Sequence, residues 1–371
     1  MTHHSPGALH IHSRFSDGTG ELDEIARAAA RSGLEWIGMT DHNTLAEAYR
    51  GFAGIHHGVA VLVGYEWTPE GGDHMLVHGR PDELGDAPLD PTLPPPDAVR
   101  LLTERGALTH LAHPDERRGE AMRELPPFPW HDWSLTGFRG LELWNYMSEW
   151  AERLTPRNKL LHALLPGTGL GGPTERLLDW WDWLNVPLRD DAGGPLYNGG
   201  RRLTVGVSGT DAHAFKVRFL GLTLTIFPYA ELFRAFTNYL VLERPLPSDY
   251  PAAQGEILDA LGAGRLYFAN RRLGDALGTE LEAGDASDRR AGPGGCVAWS
   301  EDCAISVRTP RVADLRLLRD GAEVARARGR ELVVERARPG AYRLEARRFG
   351  EPWCFTNPVV VRPPVRPVLS S

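Results

Sequence analysis

Residues 8–42 read ALHIHSRFSDGTGELDEIARAAARSGLEWIGMTDH, and this stretch decides the fold class of the chain. The apolar run at 8–12 predicts a strand. Residues 21–33 predict a helix, because Ala and Leu recur at helical spacing and Gly33 stops the pattern. The apolar run at 36–42 predicts a second strand. A strand, a helix and a strand in this order are typical of parallel strands joined by a crossover helix, so the stretch predicts an α/β fold.

The same alternation continues over the first two thirds of the chain. Further strands are predicted at 59–68, 74–79, 107–114, 140–145, 203–213 and 265–270, and further helices at 96–106, 175–185 and 254–264. This spacing predicts a largely parallel sheet or barrel, whose loops can carry a site at the carboxyl ends of the strands. Residues 146–202 break the rhythm and predict an insertion that covers the site.

The last quarter of the sequence has a different character. Residues 284–295 are rich in Gly and charged residues and predict a linker. Short alternating runs follow, and Asp320-Gly321 between two of them predicts a hairpin turn. We therefore expect two domains, a barrel over 1–280 with its insertion and a small antiparallel β-sandwich over 281–371.

Composition and charge exclude several classes of protein. The formal net charge is −8, so nothing in the overall charge calls for nucleic acid or an anionic membrane as a partner. We find neither a signal peptide nor an apolar run of about 18 residues that could span a membrane, and we expect a cytoplasmic protein. Three cysteines without framework spacing agree with a reduced compartment. The sequence leaves the oligomeric state open.

Side chains that could bind metal collect where the predicted strands end. They are His10, His12 and Asp17, Asp41 and His42, Glu66, His74 and His78, His110 and His113, Glu142 and Asn145, and Asp211 and His213. Residues i and i+2 of a strand share one face, so His10 and His12 converge on one point. Imidazole and carboxylate ligands together suit zinc, manganese or iron. So many candidates suggest two or three ions that share a carboxylate, and Glu66 is the natural bridge because it ends the most apolar strand.

Each of these patterns also has an ordinary structural explanation. A His pair at i and i+2 is more often a half-exposed strand face, and Asp41 with Asn43 could bond the backbone of a turn. Glu66 could pair with a surface arginine. Joint placement argues against these alternatives, because five separate strand ends carry such residues whereas the predicted helices carry almost no histidine. The sequence therefore favours a metal site.

Six short motifs resemble, in this order, those of the PHP (polymerase and histidinol phosphatase) superfamily: HIHSRFSDG (10–18), TDHNT (40–44), VGYE (63–66), AHP (112–114), LELWN (141–145) and SGTDAH (208–213). Their spacing, and PWCFTNPVVV at 352–361, are similar to the carbaryl-hydrolase-like branch called CehA/McbA. The resemblance implies a distorted (β/α)7 PHP-type barrel that holds two or three divalent ions of manganese, iron or zinc.

The resemblance also implies three groups of ligands. The first is His10, His12, Glu66 and Asp211, the second is Glu66, His113 and a histidine of the strand over 74–79, and the third is Asp17, His42 and His213. The third group would hold the second ion if only two bind. The family's Gly-His spacing favours His74 for the second group, although a shift along the strand selects His78. We interpret His110 as structural, because it lies three positions before His113 and so on the opposite face.

Metal ions at such a site would lower the pKa of a bound water and present hydroxide as the nucleophile. No nucleophilic serine or cysteine motif accompanies them. We assign catalytic roles to Glu66, Asp17, Arg14 and Arg118, in which the two arginines would bind a phosphate. Trp67, next to Glu66, could form an apolar wall for an aromatic leaving group.

The preferred function is therefore the hydrolysis of small-molecule phosphate esters, phosphodiesters ahead of monoesters. The alternative is the hydrolysis of a carbamate or carboxylic ester, aryl esters included, on the same metal site. Arg14 and Arg118 distinguish the two, because a neutral ester needs no cationic partner. A non-catalytic module that binds metal is a third hypothesis.

Overall fold

The chain forms a mixed α/β structure with large sheets and few helices. The computed structural model describes residues 2–46, 50–158, 170–186, 188–189, 195–196, 203–219 and 222–363. The helices in these ranges are α1 Leu22–Arg31, α2 Pro81–Leu84, α3 Pro95–Arg105, α4 Tyr146–Arg153, α5 Glu175–Asn185, α6 Tyr229–Phe233 and α7 Tyr250–Ala263. Among the described residues, every helix is too short or too polar to cross a membrane.

The strands of the first two thirds are β1 His3–Ala8, β2 Trp36–Met39, β3 Gly54–His56, β4 Val59–Val63, β5 Tyr65–Trp67, β6 Met75–His78, β7 Leu108–Leu111, β8 Gly140–Asn145, β9 Leu188–Arg189, β10 Pro195–Leu196, β11 Val205–Gly209, β12 Lys216–Phe219, β13 Leu222–Thr225, β14 Phe236–Leu242 and β15 Leu266–Asn270. The later strands are β16 Glu280–Gly284, β17 Arg290–Ala291, β18 Cys296–Ala298, β19 Ala304–Arg319, β20 Ala322–Val334, β21 Gly340–Arg348, β22 Glu351–Thr356 and β23 Val359–Arg362.

Most predicted elements are confirmed within a few residues. The helix expected at 175–185 has these bounds, and those expected at 21–33 and 96–106 are shorter or shifted by one or two residues. The helix expected at 254–264 begins earlier, at Tyr250, because the side chain of Asp249 accepts a hydrogen bond from the backbone of the first turn.

Two sheets are joined at the residues that carry the predicted ligands. One sheet contains the order β3-β4-β2-β1-β14-β15-β22, and the other has the order β11-β8-β7-β6-β5. Isolated parallel bridges link Ile11 to Ala212 and His42 to Glu66. The chain also passes directly from β4 into β5. The pairings therefore form a closed circuit through β1, β2, β4, β5, β6, β7, β8 and β11.

The regular (β/α)7 alternation stays a prediction. Helices of at least eight residues connect β1 to β2, β6 to β7 and β8 to β11 in the described part of the chain. Strand β6 instead pairs antiparallel with both β5 and β7, so the circuit is only partly parallel. The insertion predicted over 146–202 contains α4 and α5, and much of its remainder lies outside the described residues.

The first predicted strand has the wrong bounds. Strand β1 ends at Ala8, and His10 has a backbone φ of 63°, which is the left-handed region. Asp211, across the bridge, has a φ of 52°. Such conformations cost about 1–3 kcal/mol each for residues other than glycine, and they occur where a functional side chain must be aimed. His10 and His12 therefore converge for another reason than sharing one face of a regular strand.

The small antiparallel β-sandwich predicted over 281–371 stays a prediction. Strand β22 pairs antiparallel with β15, so the later strands continue the sheet of the first part. They still surround a hydrophobic core of their own, which also takes in Tyr239 and Tyr267. The hairpin turn is confirmed, since Asp320 and Gly321 both have positive φ between β19 and β20. The domain boundary at residue 281 stays a prediction.

Two asparagines hold the edge of β11 that faces away from β8. Asn357 accepts a hydrogen bond from the Gly206 N–H at 2.7 Å and donates to the Gly206 oxygen at 2.8 Å. Asn238, on β14, does the same for Ser208 at 2.9 and 2.7 Å. Both asparagines are 1% exposed. Each amide thus replaces a neighbouring strand and fixes the β-strand that leads to Asp211.

The cysteines carry no cross-link. Cys296 is exposed, whereas Cys303 and Cys354 are buried, and all are unpaired. The reduced compartment inferred from the sequence stays a prediction.

Candidate metal centre

The structure brings the nine predicted ligands together at one end of the strand circuit. They form overlapping groups whose ligand atoms lie within 4.8 Å of one another: His10, His12 and Glu66; His10, His113 and Asp211; Glu66, His74 and His113; and His12, Asp17, His42 and His213. Glu66 is 1% exposed, and its two oxygens face different groups. The cluster is compatible with the binding of divalent metal ions.

Four atoms of the first group are spaced like ligands of one ion. The Nε2 atom of His10 lies 3.3 Å from Glu66 Oε2 and 3.5 Å from Asp211 Oδ1. The Nε2 atom of His12 lies 3.4 Å from Glu66 Oε2 and 3.5 Å from Asp211 Oδ1. Nitrogen and oxygen ligands about 2.1 Å from a tetrahedral ion are about 3.4 Å apart. These four nitrogen–oxygen distances are therefore compatible with ligands that share an ion.

Unpartnered buried atoms support the same interpretation. The Nε2 atoms of His10 and His12 and the Oε2 atom of Glu66 have no hydrogen-bond partner and almost no exposed surface. A buried polar atom without a partner costs about 1–3 kcal/mol, and more when it is charged. These three atoms point at one another, so a shared cation would satisfy all of them.

The second group uses the other oxygen of Glu66. Glu66 Oε1 lies 2.9 Å from His74 Nδ1 and 3.3 Å from His113 Nε2. The structure thus brings His74 to Glu66. His78 lies elsewhere in the interior and packs against Gly38. A Cβ atom at position 38 would lie 2.7 Å from the Nε2 atom of His78. The geometry therefore favours His74 over His78, and it leaves Glu66 between two groups as a bridge would be.

The third group lies at the surface of the cluster. Asp17 Oδ1 lies 3.1 Å from His213 Nε2, and Asp17 Oδ2 lies 3.5 Å from His42 Nε2. Burial acts against a charged His213, but Asp17 and Asp211 outweigh it and raise its pKa to about 9. His12 Nδ1 also approaches Asp17 Oδ1, at 3.6 Å. A neutral imidazole offers one nitrogen to a metal, so His12 can serve the first group or this one.

The carboxylate of Glu142 orients two ligands from behind. Its Oε1 atom lies 2.8 Å from His10 Nδ1, which leaves His10 Nε2 directed at the cluster. Its Oε2 atom accepts hydrogen bonds from the His113 backbone N–H at 2.7 Å and from Asn145 Nδ2 at 2.9 Å. A carboxylate behind a ligating histidine fixes the ring and raises its basicity. Glu142 therefore acts on the ligands without being one.

The groups of the cluster shift one another's pKa. Burial opposes the charged form of His113, but Glu116 and Glu66 outweigh it and raise the pKa of His113 to about 9. Burial would raise the pKa of Glu66, yet His10 and His74 hold it well below its usual value. The raised pKa of His113 and the lowered pKa of Glu66 therefore favour an imidazolium beside a carboxylate at this point of the cluster, whereas burial lowers the pKa of His12 to about 4.

A cavity of about 1030 Å³ opens onto the cluster. Its floor includes Asp17, His42, Glu66, His74, His113, Asp211 and His213. Arg118 and Lys216 are the cationic side chains among the described residues that line it. The remaining wall is mainly apolar, so the cavity can hold a molecule much larger than phosphate.

Two residues singled out from the sequence lie elsewhere. Arg14 is largely exposed and pairs with Glu21 at 2.7 Å, and it is not among the described residues that line the cavity. Trp67 is completely buried and donates to the Asp90 backbone oxygen at 3.2 Å. Trp67 therefore belongs to the core and forms no wall of the cavity, because successive residues of a strand point to opposite faces.

Sequence reasoning missed Glu116, which connects several parts of the site. Its Oε1 atom lies 2.6 Å from Arg118 Nη1 and 2.8 Å from Ser148 Oγ. Its Oε2 atom accepts from the Phe128 backbone N–H at 2.6 Å and lies 3.7 Å from His113 Nδ1. The position three residues after His113 in a loop is the only signal that the sequence offers. Glu116 thus contacts the predicted ligand His113, the cationic Arg118 and the backbone of Phe128 in the cavity wall.

Comparison with known proteins gives one family match and one curated relative. Residues 8–92 match the family model of the PHP domain. An error-prone DNA polymerase of Symbiobacterium thermophilum is 39% identical over 72 residues, which are 19% of this chain and 7% of the polymerase. The chain thus matches a small fraction of that relative's length.

Solved structures resemble the chain more loosely. A two-domain protein of Bacteroides vulgatus, described as containing a predicted PHP-like metal-dependent phosphoesterase, has a TM-score of 0.40 and 14% identity, over 96% of this chain and 95% of that one. An amidohydrolase of Chromobacterium violaceum has a TM-score of 0.32 and 18% identity, over 60% and 92%. At these TM-scores the likeness supports no conclusion about fold or function. Residues 8–92, which carry His10, His12, Asp17, His42, Glu66 and His74, are similar to the PHP domain.

Proposed function

We propose that this protein is a metal-dependent hydrolase of phosphate esters, with phosphodiesters preferred over monoesters. One observation carries the proposal: unpartnered, buried atoms of His10, His12 and Glu66 converge, and Glu66 lines the floor of a large cavity. A purely structural metal site is usually closed by four ligands, whereas this cluster faces open space. The proposal extends to two or three ions of manganese, iron or zinc and to the CehA/McbA branch of the PHP superfamily.

The chain's own residues would each have a part in this chemistry. Divalent ions bound here would lower the pKa of a water molecule and neutralise charge on the phosphoryl oxygens. Glu66 would hold two ions at a fixed separation, and Glu142 would keep His10 aimed at them. Arg118 would bind a phosphoryl oxygen, since its side chain reaches the cavity and is positioned by Glu116. Arg14, which pairs with Glu21, has no part in this proposal.

The preference for diesters rests on charge. A phosphodiester carries one negative charge, and a monoester carries close to two near neutral pH. Apart from histidines, Arg118 and Lys216 are the cationic side chains among the described lining residues, and Glu116 already pairs with Arg118. The mainly apolar lining of the cavity supports a second candidate, the hydrolysis of a neutral carbamate or carboxylic ester.

A substrate panel tests the proposal. The purified chain is loaded with Mn²⁺, Fe²⁺ or Zn²⁺ and assayed with bis-p-nitrophenyl phosphate, p-nitrophenyl phosphate, p-nitrophenyl acetate and a naphthyl carbamate. We expect the diester to give the highest kcat/KM. Highest activity on the carbamate or acetate would favour the second candidate, and metal binding without turnover of any substrate would indicate a binding module.

Two variants separate the metal site from the phosphate contact. Asp211→Asn should lower kcat/KM by more than about 100-fold, because it removes a direct ligand. His57→Asn is the matched control, since His57 is outside the cluster and pairs with Asp23 at the surface. Arg118→Ala should lower kcat/KM about tenfold for the diester and leave the acetate unaffected. Equal losses on both substrates would contradict the role of Arg118.

A further inference from the structure

The wall of the cavity is mainly apolar, and apolar side chains reach from its rim to the predicted metal ligands. The apolar lining residues include Leu125, Phe128, Trp150, Phe215 and Phe227. They come from the loop after β7, from α4, and from the chain segments around β12 and β13. An apolar surface gathered from separate segments around one cavity indicates a binding site for an apolar group.

Two phenylalanines lie directly on histidines of the cluster. The Phe128 ring stacks on His74 with centroids 4.9 Å apart and planes 16° apart. The Phe215 ring stacks on His213 with centroids 5.0 Å apart and planes 8° apart. An ester group attached to a phosphorus atom at the cluster would therefore meet a phenyl ring within a few bonds.

The aromatic wall continues away from the cluster. Trp150 packs edge-on against Phe227, with centroids 4.8 Å apart and planes 78° apart. At the rim, Leu125 is 53% exposed and Phe215 is 40% exposed, and both belong to the small set of large hydrophobic residues that are exposed among the described ones. Exposed apolar side chains at the mouth of a cavity are costly unless a ligand covers them.

Three polar side chains of the lining already have partners within the protein. Thr19 Oγ1 donates to the Ala214 oxygen at 2.5 Å, and Ser148 Oγ donates to Glu116 at 2.8 Å. The amide of Asn43 is bonded at both ends to the backbone of Thr68, at 3.0 Å each. A site that reads a sugar or a base presents free donors and acceptors to its hydroxyl and ring nitrogen groups. Thr19, Ser148 and Asn43 thus use hydrogen-bonding groups within the protein, and the wall suits an apolar group better than a nucleotide or a sugar phosphate.

We propose that the substrate is a phosphodiester in which at least one ester group is large and apolar, and that Phe128, Trp150, Phe215 and Phe227 hold this group. The inference rests on the proposed function. In the reaction, the oxygen of a water molecule forms a bond to phosphorus and the bond from phosphorus to the oxygen of one ester group breaks. One proton of the water passes to the departing alcohol, and the products are an alcohol and a phosphomonoester.

A homologous series tests this substrate class. Phosphodiesters of p-nitrophenol carry methyl, butyl, octyl or phenyl as the second ester group, so the leaving group and its absorbance stay constant. The Mn²⁺-loaded protein should show kcat/KM that rises about fourfold for each methylene that the wall buries. An alkyl chain and an aryl ring are then distinguished by comparing octyl with phenyl. Equal kcat/KM from methyl to octyl would overturn the inference and leave the proposed function standing.

A matched pair of variants assigns the effect to the wall. Phe215→Ala should lower the ratio of kcat/KM for octyl to that for methyl by about tenfold or more. Phe349→Ala is the control, because Phe349 is 80% exposed and outside the described lining of the cavity. It should leave the ratio unchanged. A ratio that stays the same in Phe215→Ala, or falls equally in Phe349→Ala, would overturn the role of the wall.

A binding measurement works without metal and without turnover. The probe 8-anilinonaphthalene-1-sulfonate should bind the metal-free protein with enhanced fluorescence, and octylphosphonate should displace it whereas methylphosphonate should not. Leu125→Ser and Phe215→Ala should weaken binding of the probe, and Phe349→Ala should not. Absence of displacement by octylphosphonate would overturn the apolar subsite. Displacement together with no hydrolysis of any diester would overturn the proposed function and, with it, the assignment of a diester as substrate.

Discussion

The ion pair between Arg343 on β21 and Asp182 on α5 joins the late strands to the segment between β8 and β11. Arg343 is 3% exposed, and its Nε and Nη2 atoms each lie 2.6 Å from a different oxygen of Asp182. Its third contact is Glu345, 2.6 Å from Nη1. The guanidinium also lies 5.1 Å from the ring centroid of Trp181. The pair is therefore bidentate and largely withdrawn from water.

We predict that Asp182→Asn lowers the free energy of unfolding by about 3 kcal/mol. Removal of one partner of a buried ion pair costs about 3–5 kcal/mol, because the remaining charge stays buried without compensation. The lower end is expected here because Glu345 still neutralises part of the charge of Arg343. Urea unfolding, followed by tryptophan fluorescence and circular dichroism, measures the loss.

Two further variants make this prediction specific. Glu323→Gln breaks the exposed pair with Arg316, whose atoms are 2.7 Å apart, and should cost only about 0.2–1 kcal/mol. The double variant Asp182→Leu with Arg343→Met removes both charges of this pair, while Glu345 keeps its contact with Arg316 at 3.0 Å, and it should recover part of the loss. The reasoning is refuted if Asp182→Asn costs no more than Glu323→Gln, or if the double variant is less stable than Asp182→Asn.

The remaining predictions concern the metal centre. Glu142→Gln should lower metal affinity about 10–100-fold, because His10 loses the carboxylate behind it, and competition with a chelating dye would detect this; unchanged affinity would contradict the role. Glu116→Gln should raise the KM for a diester severalfold with little change in kcat, because Arg118 is no longer held in place; a loss confined to kcat would argue against positioning. Metal affinity should increase as the pH rises towards about 9, because the raised pKa of His113 means that a proton competes with the ion below that value. Calorimetry near pH 7 in buffers of different protonation enthalpy should therefore show proton release, and its absence would refute this sign.

The sequence predicted the elements whose signal is local. The apolar runs before Glu66, His113 and Asp211 became strands, and the ligands at their ends became neighbours. Strand β14 went unpredicted, although it pairs with β1 along its length. Its position depends on pairing with residues more than two hundred positions away, and nothing in its own sequence indicates that partner.

Side-chain direction was the main source of error in the candidate site. Arg14 was assigned to the site because it lies between predicted ligands in the sequence. In the structure its guanidinium instead pairs with Glu21. Trp67 was assigned to the cavity because it follows Glu66, although the alternation of a strand places it on the other face. The left-handed φ of His10 could not be predicted from the sequence, because histidine adopts this conformation only occasionally. The sequence motifs therefore identified the predicted ligands better than they identified the side chains that line the cavity.

The two asparagine amides that hold β11 have a consequence for biosynthesis. Gly206 is made 151 residues before Asn357, which satisfies its backbone. A nascent chain therefore contains Asp211 and His213 long before the edge of the strand that leads to them is complete. We expect the cluster to gain its full affinity for metal only after residue 357 has left the ribosome. Tight binding of the ion would then indicate that synthesis of the chain has passed residue 357.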